Sequence, residues 1–413
     1  MNKLAIPLLA LIPLTAHAQP LSLDSCRLLA HDNYPAIAQY DLVSQSRDLS
    51  LANAARQWLP NLSLSASAAV FTDILNSDSP ASQMGLDLPN HLLSASLTLK
   101  QNIYDGGQIS ARKRLNNAQA ATQTAQINVA IYDVYAQVEE LFFGILLTDE
   151  HLRINDLMLN DLATAHKSLT SLLNNGLAQP SDLELLQVQQ LQLAQQSSAL
   201  QSSRHAYLTM LSAFVGRTLD DSTHLLPPPT PDPSPTPCAR PELTLFASQH
   251  DLLNSKRDQL DARLRPTLAF VGTGLLHSEM SNLLNNGLLA ASLQLNWNIG
   301  AFYARRNDLR QLSIQHSDID VQRATFLFNN NLQNSSTNAK IQTLQSQTLH
   351  DAQIVSLRES IMQRANKKLQ SGTYSLNDLI RDINAAALAR QQMALHQIQL
   401  LQESYRLKNI NNN

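Results

Sequence analysis

The chain has 413 residues, a formal net charge of −3 and 15 % charged residues, so it carries neither the basic footprint of a nucleic-acid binder nor an acidic tail. Aromatics make up 5 %, while Ala, Leu, Gln, Asn and Ser dominate, which suits long helices better than a large globular core. The length would allow two or three ordinary domains, but an internal repeat argues for a different organisation.

The chain opens with Lys3, an apolar run from Leu4 to Leu14 and the small-residue site Ala16-His17-Ala18, the pattern of a secretory signal peptide over residues 1–18, cut before Gln19. Gln19 is not a Cys, so no lipid anchor is expected there. No later segment is apolar over the roughly eighteen residues a membrane helix needs, so any spanning must be by strands.

Pro35 and Pro60 stand 25 residues apart, as do Pro241 and Pro266, with 206 residues between the pairs. The spacing implies a duplication. Residues 19–226 form a first repeat, 227–237 a proline-rich extended linker, 238–408 a second repeat and 409–413 an Asn-rich tail. In each repeat a helical interval closes on its second proline and runs into strands. Leu62, Leu64, Ala66 and Ala68 alternate with Ser63, Ser65 and Ser67, and Leu93, Ala95, Leu97 and Leu99 alternate with Ser94, Ser96, Thr98 and Lys100. In the second repeat Arg265-Pro266-Thr267 opens one strand, and an Ala/Leu/Leu/Trp/Ile face alternates with Ser/Gln/Asn/Asn from Ala291 to Ile299. Such period-two patterns separate an oily face from a wet one and read as outer-membrane barrel strands. Residues 72–90 and 280–288 are the expected extracellular loops. Small barrels need about eight strands, so four per chain require several chains to share one barrel.

After each strand pair comes a long helical pattern, residues 107–173 and 301–370, which at ~1.5 Å per residue would reach roughly 100 Å. Val138, Leu141, Ile145, Leu152, Leu159, Leu162, Leu169 and Leu173 follow coiled-coil spacing, interrupted by Thr148, Asn155 and His166. A return helix follows in each repeat, making two long hairpins. Their tips are related: Gly176-Leu177-Ala178-Gln179-Pro180-Ser181-Asp182-Leu183 and Gly372-Thr373-Tyr374-Ser375-Leu376-Asn377-Asp378-Leu379. Gly ends one helix, and Ser181-x-x-Glu184 and Ser375-x-x-Asp378 have the form of capping boxes that start the next.

With these parts in order, the chain resembles the TolC-like outer-membrane efflux protein family from about Leu21 to Leu407. The resemblance rests on Leu21-Ser22-Leu23-Asp24-Ser25-Cys26 through Asn33-Tyr34-Pro35, on Leu59-Pro60-Asn61-Leu62, on Tyr104-Asp105-Gly106-Gly107 and on the Gly-to-Asp-Leu tips. It implies an α+β, mostly α fold: long antiparallel coiled-coil hairpins forming a periplasmic tunnel, and four strands per chain in a barrel shared by a homotrimer in outer-membrane lipid. It also implies an exit duct docked through its tips to a periplasmic adaptor and an inner-membrane transporter, for efflux or type I secretion. Gly176, Leu177, Asp182, Leu183, Gly372 and Leu379 are then the candidate adaptor contacts. Where the family narrows its tunnel with acids six and nine residues after the second tip Gly and an Arg two after it, this chain has Asp378, Arg381 followed by Asp382, and Tyr374. A ring of Asp378 would favour cations unless Arg381 offsets it; alternatively Asp378 only caps its helix. Two departures stand out: Asn298-Ile299-Gly300 replaces a second Asp-Gly-Gly corner, and little follows Leu407.

No metal, cofactor or enzyme is expected, since HExxH, CxxC, a Gly-rich phosphate loop and a nucleophile elbow are all missing from the sequence. Cys26 and Cys238, near the starts of the two repeats, could form a disulfide in an oxidising periplasm; Cys26 fits a buried helix position equally well. A soluble periplasmic coiled-coil scaffold is the alternative function, but it leaves four two-faced strands without a lipid to face.

Overall fold

The computed structural model describes residues 21–70, 91–176, 178–231, 238–278 and 287–411. The signal-peptide segment, Leu177, most of the linker and the expected loops lie outside these residues, except Gly287 and Leu288, which belong to a strand and not to the second loop.

The elements follow in the order read from the sequence. Helix α1 (Leu23–Asn33) leads through a short turn at Pro35–Ile37 into α2 (Ala38–Arg56). Strands β1 (Asn61–Val70) and β2 (His91–Tyr104) precede α3 (Gln108–Asn174) and α4 (Pro180–Val215). The second repeat gives α5 (Pro241–Arg263), β3 (Thr267–Ser278), β4 (Gly287–Asn296), α6 (Ala301–Gln370) and α7 (Leu376–Asn411). The long helices of 67 and 70 residues start and stop within a residue or so of the expected bounds. The fourth strand is shorter than its pattern: it ends at Asn296, and Trp297 to Gly300 form a turn, with Ile299 N–H bonded to the Trp297 carbonyl at 3.1 Å. The last helix is longer than expected. It takes in Asn409 to Asn411, which were assigned to a tail.

The chain folds as two compact units, each drawing on both repeats. One comprises residues 1–37, 130–240 and 327–413, the other residues 38–129 and 241–326. Helices α3 and α6 begin in the second unit and end in the first.

In the second unit the four strands form one antiparallel sheet in the order β1-β2-β3-β4. Each repeat contributes a strand pair, as its pattern implied, and pairing of β2 with β3 joins them. The corner between β2 and α3 shows why Asp-Gly-Gly stands there. Asp105 accepts from Gly107 N–H at 3.0 Å and Ile109 N–H at 2.7 Å, capping α3. Gly106 has φ +67°, and a Cβ on it would lie 3.0 Å from the Arg265 Cβ. The corner after β4 needs no left-handed residue: Phe302 and Tyr303 N–H bond the Ile299 and Gly300 carbonyls, both at 3.1 Å.

In the first unit, α1 buries Leu23, Cys26 and Ala30, one helical stripe, against Val138, Phe142, Ile145, Leu208 and Leu211 of α3 and α4. A second core gathers Ile154, Met158, Leu162, Ala165, Leu169 and Leu172 of α3 with Leu186, Leu193, Met362, Leu369, Leu379 and Ile383. Only Leu162 and Leu169 of this set belong to the expected seam there; Leu152, Leu159 and Leu173 are half-buried. The stripe is broader than a two-stranded seam because side chains of α4, α6 and α7 all share the core. The polar interruptions are accommodated locally. Thr148 bonds the Gly144 carbonyl at 2.8 Å, Asn155 reaches Ser197 at 3.3 Å, and His166 is exposed.

Buried ions tie this unit together. Arg27 pairs with Glu139 and bonds Asn409 at 2.9 Å, while Asn409 donates to Glu139 at 2.5 Å. Burial lowers the Arg27 pKa from its usual value. Arg204 on α4 pairs with Asp149 at 2.5 Å and donates to the carbonyls of Asp221 at 3.0 Å and Thr223 at 2.8 Å. That pins the segment after α4, where Leu225 bridges to Leu21. Arg390 on α7 joins Glu359 of α6 at 2.8 Å to Asp161 of α3 at 3.4 Å.

The disulfide is not formed. Cys26 is fully buried in the α1 core and Cys238, half-buried, lies with its Sγ 4.0 Å from the Ile410 carbonyl; both are free. Burial pushes the Cys26 thiol up to about 12, so it stays protonated and unreactive through neutral pH. Alkylation of unreduced native protein should therefore label Cys238 and spare Cys26, with peptide mass mapping as the readout. Arg204→Ala should cost about 3 kcal/mol, since it leaves Asp149 unpaired and releases two carbonyls, and should open residues 217–226 to proteolysis.

Candidate functional site

Two regions carry chemistry that a folded interior does not absorb: the sheet of the second unit and the hairpin tips of the first.

The register of the sheet sorts every strand residue to one of two faces. Leu64 opposes Leu97, Leu97 opposes Gly274 and Gly274 opposes Leu289, so the apolar sets of both repeats fall on one side. These side chains are open: Leu64 is 77 % exposed, Leu293 68 % and Leu289 90 %. Four leucine-rich strands do not leave such a face in water without cost, at ~25 cal/mol per Å² of apolar surface. The opposite face is hydroxylic across β1 and β2, and it also carries Val271 and Leu275 of β3. Ser65 and Ser96 share a hydrogen bond at 2.7 Å, as do Ser67 and Ser94. Its outer strands β1 and β4 each keep an edge with no partner strand.

An aromatic belt at the helix-side ends of the strands escaped sequence reasoning. Both Trp of the chain stand there, Trp58 before β1 and Trp297 after β4, with Tyr104 at the end of β2 and Phe302 and Tyr303 opening α6. All five are exposed, and Trp297 donates its indole N–H to the Leu264 carbonyl at 2.9 Å. The signal was present: aromatics are scarce, yet they cluster where strands meet helices, as membrane-interface girdles do.

At the first tip Gly176 has φ +74°, with open space where a Cβ would stand. The helix start lies two residues earlier than the Ser181–Glu184 box: Gln179 is the N-cap, Pro180 the first helical residue, and Asp182 accepts from Gln179 N–H at 3.1 Å. Leu183 is half-buried against the lower core, and Leu177 lies outside the described residues. At the second tip Gly372 has φ +71°. Ser375 caps α7, accepting from Asp378 N–H at 3.2 Å and donating to the Asp378 carboxylate at 2.7 Å. Leu379, expected to meet an adaptor, is instead fully buried in the core of its own unit. Its neighbour Leu376 is buried with it, because the first turn of α7 faces inward.

The four candidate gate residues pair with one another. Arg381 lies 3.0 Å from Asp378, offsetting its charge, and Tyr374 donates to the nearly buried Asp382 at 2.9 Å. That bond, then burial, raises the Tyr374 pKa. The Asp378 carboxylate thus supports the Ser375 cap and pairs with Arg381 within one chain.

Among the described residues no group of three His, Cys, Asp or Glu could hold a metal, and no helix is long and apolar enough to cross a membrane. His250 and His316 stack with their Nδ1 atoms 2.7 Å apart, and Asp320 lies 3.2 Å from the His250 Nε2.

No protein-family model matches the sequence, and neither does any curated protein. Solved structures do match the fold over nearly its whole length. The outer membrane protein VceC from Vibrio cholerae aligns with a TM-score of 0.70 at 13 % identity, covering 95 % of this chain and 96 % of that one. The CmeC outer membrane channel of Campylobacter jejuni gives 0.68 at 14 %, covering 94 % and 85 %, and the open-state MtrE channel of Neisseria gonorrhoeae 0.68 at 12 %, covering 95 % and 89 %. The fold is that of the TolC-like outer-membrane channels. A TolC-like fold accounts for the mostly helical chain with four strands.

Leu379→Ala should destabilise the tip by about 2–5 kcal/mol through the cavity it leaves, lowering the melting temperature. Leu183→Ser, at a half-buried site, should shift it much less.

Proposed function

We propose that the protein is the outer-membrane exit duct of a tripartite efflux or type I secretion system. In this reading it is a homotrimer held in outer-membrane lipid and extending into the periplasm, fed by a periplasmic adaptor and an inner-membrane transporter. One observation carries the reading: a sheet with an exposed leucine face, a hydroxylic opposite face and two open edges. In lipid every backbone polar group needs a partner, so each β4 edge must find a β1 edge, and copies of the same chain supply both. Four strands are too few to close alone, and three copies make twelve. The matched structures of like fold are described as outer membrane channels, which supports the same reading. A soluble scaffold is not favoured, because it would leave the leucine face in water.

The tips would then serve as the docking and closing end. Gly176, Asp182, Leu183 and Gly372 are the proposed adaptor contacts. Asp378, Arg381, Asp382 and Tyr374 form a paired cluster that, repeated in a trimer, would narrow the tunnel. Asp378→Ala should then raise open probability in a planar bilayer; unchanged conductance would leave Asp378 as a cap alone.

The two sheet faces make a sharper test of the whole reading. Leu293→Lys places a charge against hydrocarbon inside the aromatic belt, at a cost of up to about 2–4 kcal/mol, and should reduce heat-resistant trimers in outer-membrane fractions. Ser65→Lys, on the wet face, should leave them intact. Equal effects of both, or release of the wild type as a soluble monomer, would overturn the duct.

A further inference from the structure

The wet face of the sheet is almost free of charge. Across Asn61–Val70, His91–Tyr104, Thr267–Ser278 and Gly287–Asn296 there is one Lys, Arg, Asp or Glu, and it is Lys100. Its register places it opposite Asn61 on β1 and Val271 on β3, on the same face as the Ser65–Ser96 and Ser67–Ser94 pairs. Those serines bond each other and contribute no net charge.

Energetics give the same placement independently. Lys100 lies four residues inside Tyr104, which marks the aromatic belt, and at ~3.3 Å per residue that is roughly 13 Å along the strand. At that depth an ammonium pointing to lipid is expensive, whereas one pointing to water is not. Lys100 is exposed, and among the described residues no carboxylate comes within ion-pair distance. Among the described residues, these acids near the helix-side strand ends are committed elsewhere: Asp105 to the N–H groups opening α3, Asp258 to Arg114 at 2.8 Å and Asp261 to Arg305 at 3.0 Å.

Resting on the duct reading above, we propose that Lys100 is the charge-selecting residue of the barrel. Its copies form a ring of ammonium groups near the helix-side mouth of an otherwise neutral, hydroxyl-lined lumen, and the ring favours anionic solutes over cationic ones. A ring of like charges in a tube with low-dielectric walls focuses its field along the axis, raising the local concentration of counter-ions. The tip acid does not oppose it in kind, because Asp378 is offset by Arg381 within the same chain.

The test is the reversal potential of purified trimers in planar bilayers under a potassium chloride gradient. The chloride-to-potassium permeability ratio should be retained in Lys100→Arg, fall in Lys100→Gln and fall further in Lys100→Glu, by roughly tenfold overall. Heat-resistant trimers on gels confirm that each variant assembles, and if Lys100→Glu does not, the Gln and Arg variants decide. Conducting trimers whose ratio is the same in wild type, Gln and Glu would overturn the selectivity ring and leave the duct standing. Wild-type trimers that insert but pass no current would overturn the duct itself.

Discussion

Unpaired strand edges are the constraint on which the rest of this molecule depends. Among the described residues, a four-stranded antiparallel sheet ending in β1 and β4 leaves one edge of each without a partner strand, and in the lipid of the proposed setting no water would satisfy those N–H and C=O groups. The proposed duct meets the needs of both edges with strands of other copies. The sheet is therefore an unfinished structure, and the helices around it make sense as what holds four strands in register until other strands complete them. Pairing of β2 with β3 is the decisive step, since it converts two isolated hairpins, each marginal alone, into one surface with a single oily side.

The helical unit solves a different problem. Its helices carry few charges, so specificity of packing comes from a small number of buried ionic clusters between broad apolar stripes. Arg27 with Glu139 and Asn409, Arg204 with Asp149 and two carbonyls, and Arg390 with Glu359 and Asp161 each join elements distant in sequence. The Arg27 cluster is the costliest to break, because Glu139 would be left as a charge away from water, whereas Asp149, Asp161 and Glu359 keep partial access to solvent. The tips follow the same economy. Their acids cap helices and pair with neighbours, so the side chains with the strongest claim to gate a tunnel also hold the local turn in shape.

Periodicity made the elements legible. Alternation of Leu and Ser marked β1 to within two residues and β2 to within four, and the long runs of helix formers without proline marked α3 and α6 almost to their ends. These are local properties: a strand face and a helix stripe are written every second or every third and fourth residue. The tip glycines were legible for the same reason, since a left-handed residue is a local demand. The aromatic belt could have been read from the clustering of both Trp at strand ends.

Tertiary structure decided what depends on distant partners. Leu379 reads from sequence as an exposed tip leucine and is fully buried, because residues of α3, α4 and α6 share its core. Cys26 and Cys238 remain apart because the α1 stripe carries Cys26 into a closed core. By itself the sequence determined the elements, their order and the two faces of every strand, since these are set by neighbours along the chain. Which stripe is buried, which acid finds a cation and which strand pairs with which were decided only in three dimensions, where partners lie up to hundreds of residues away and burial depends on all of them together.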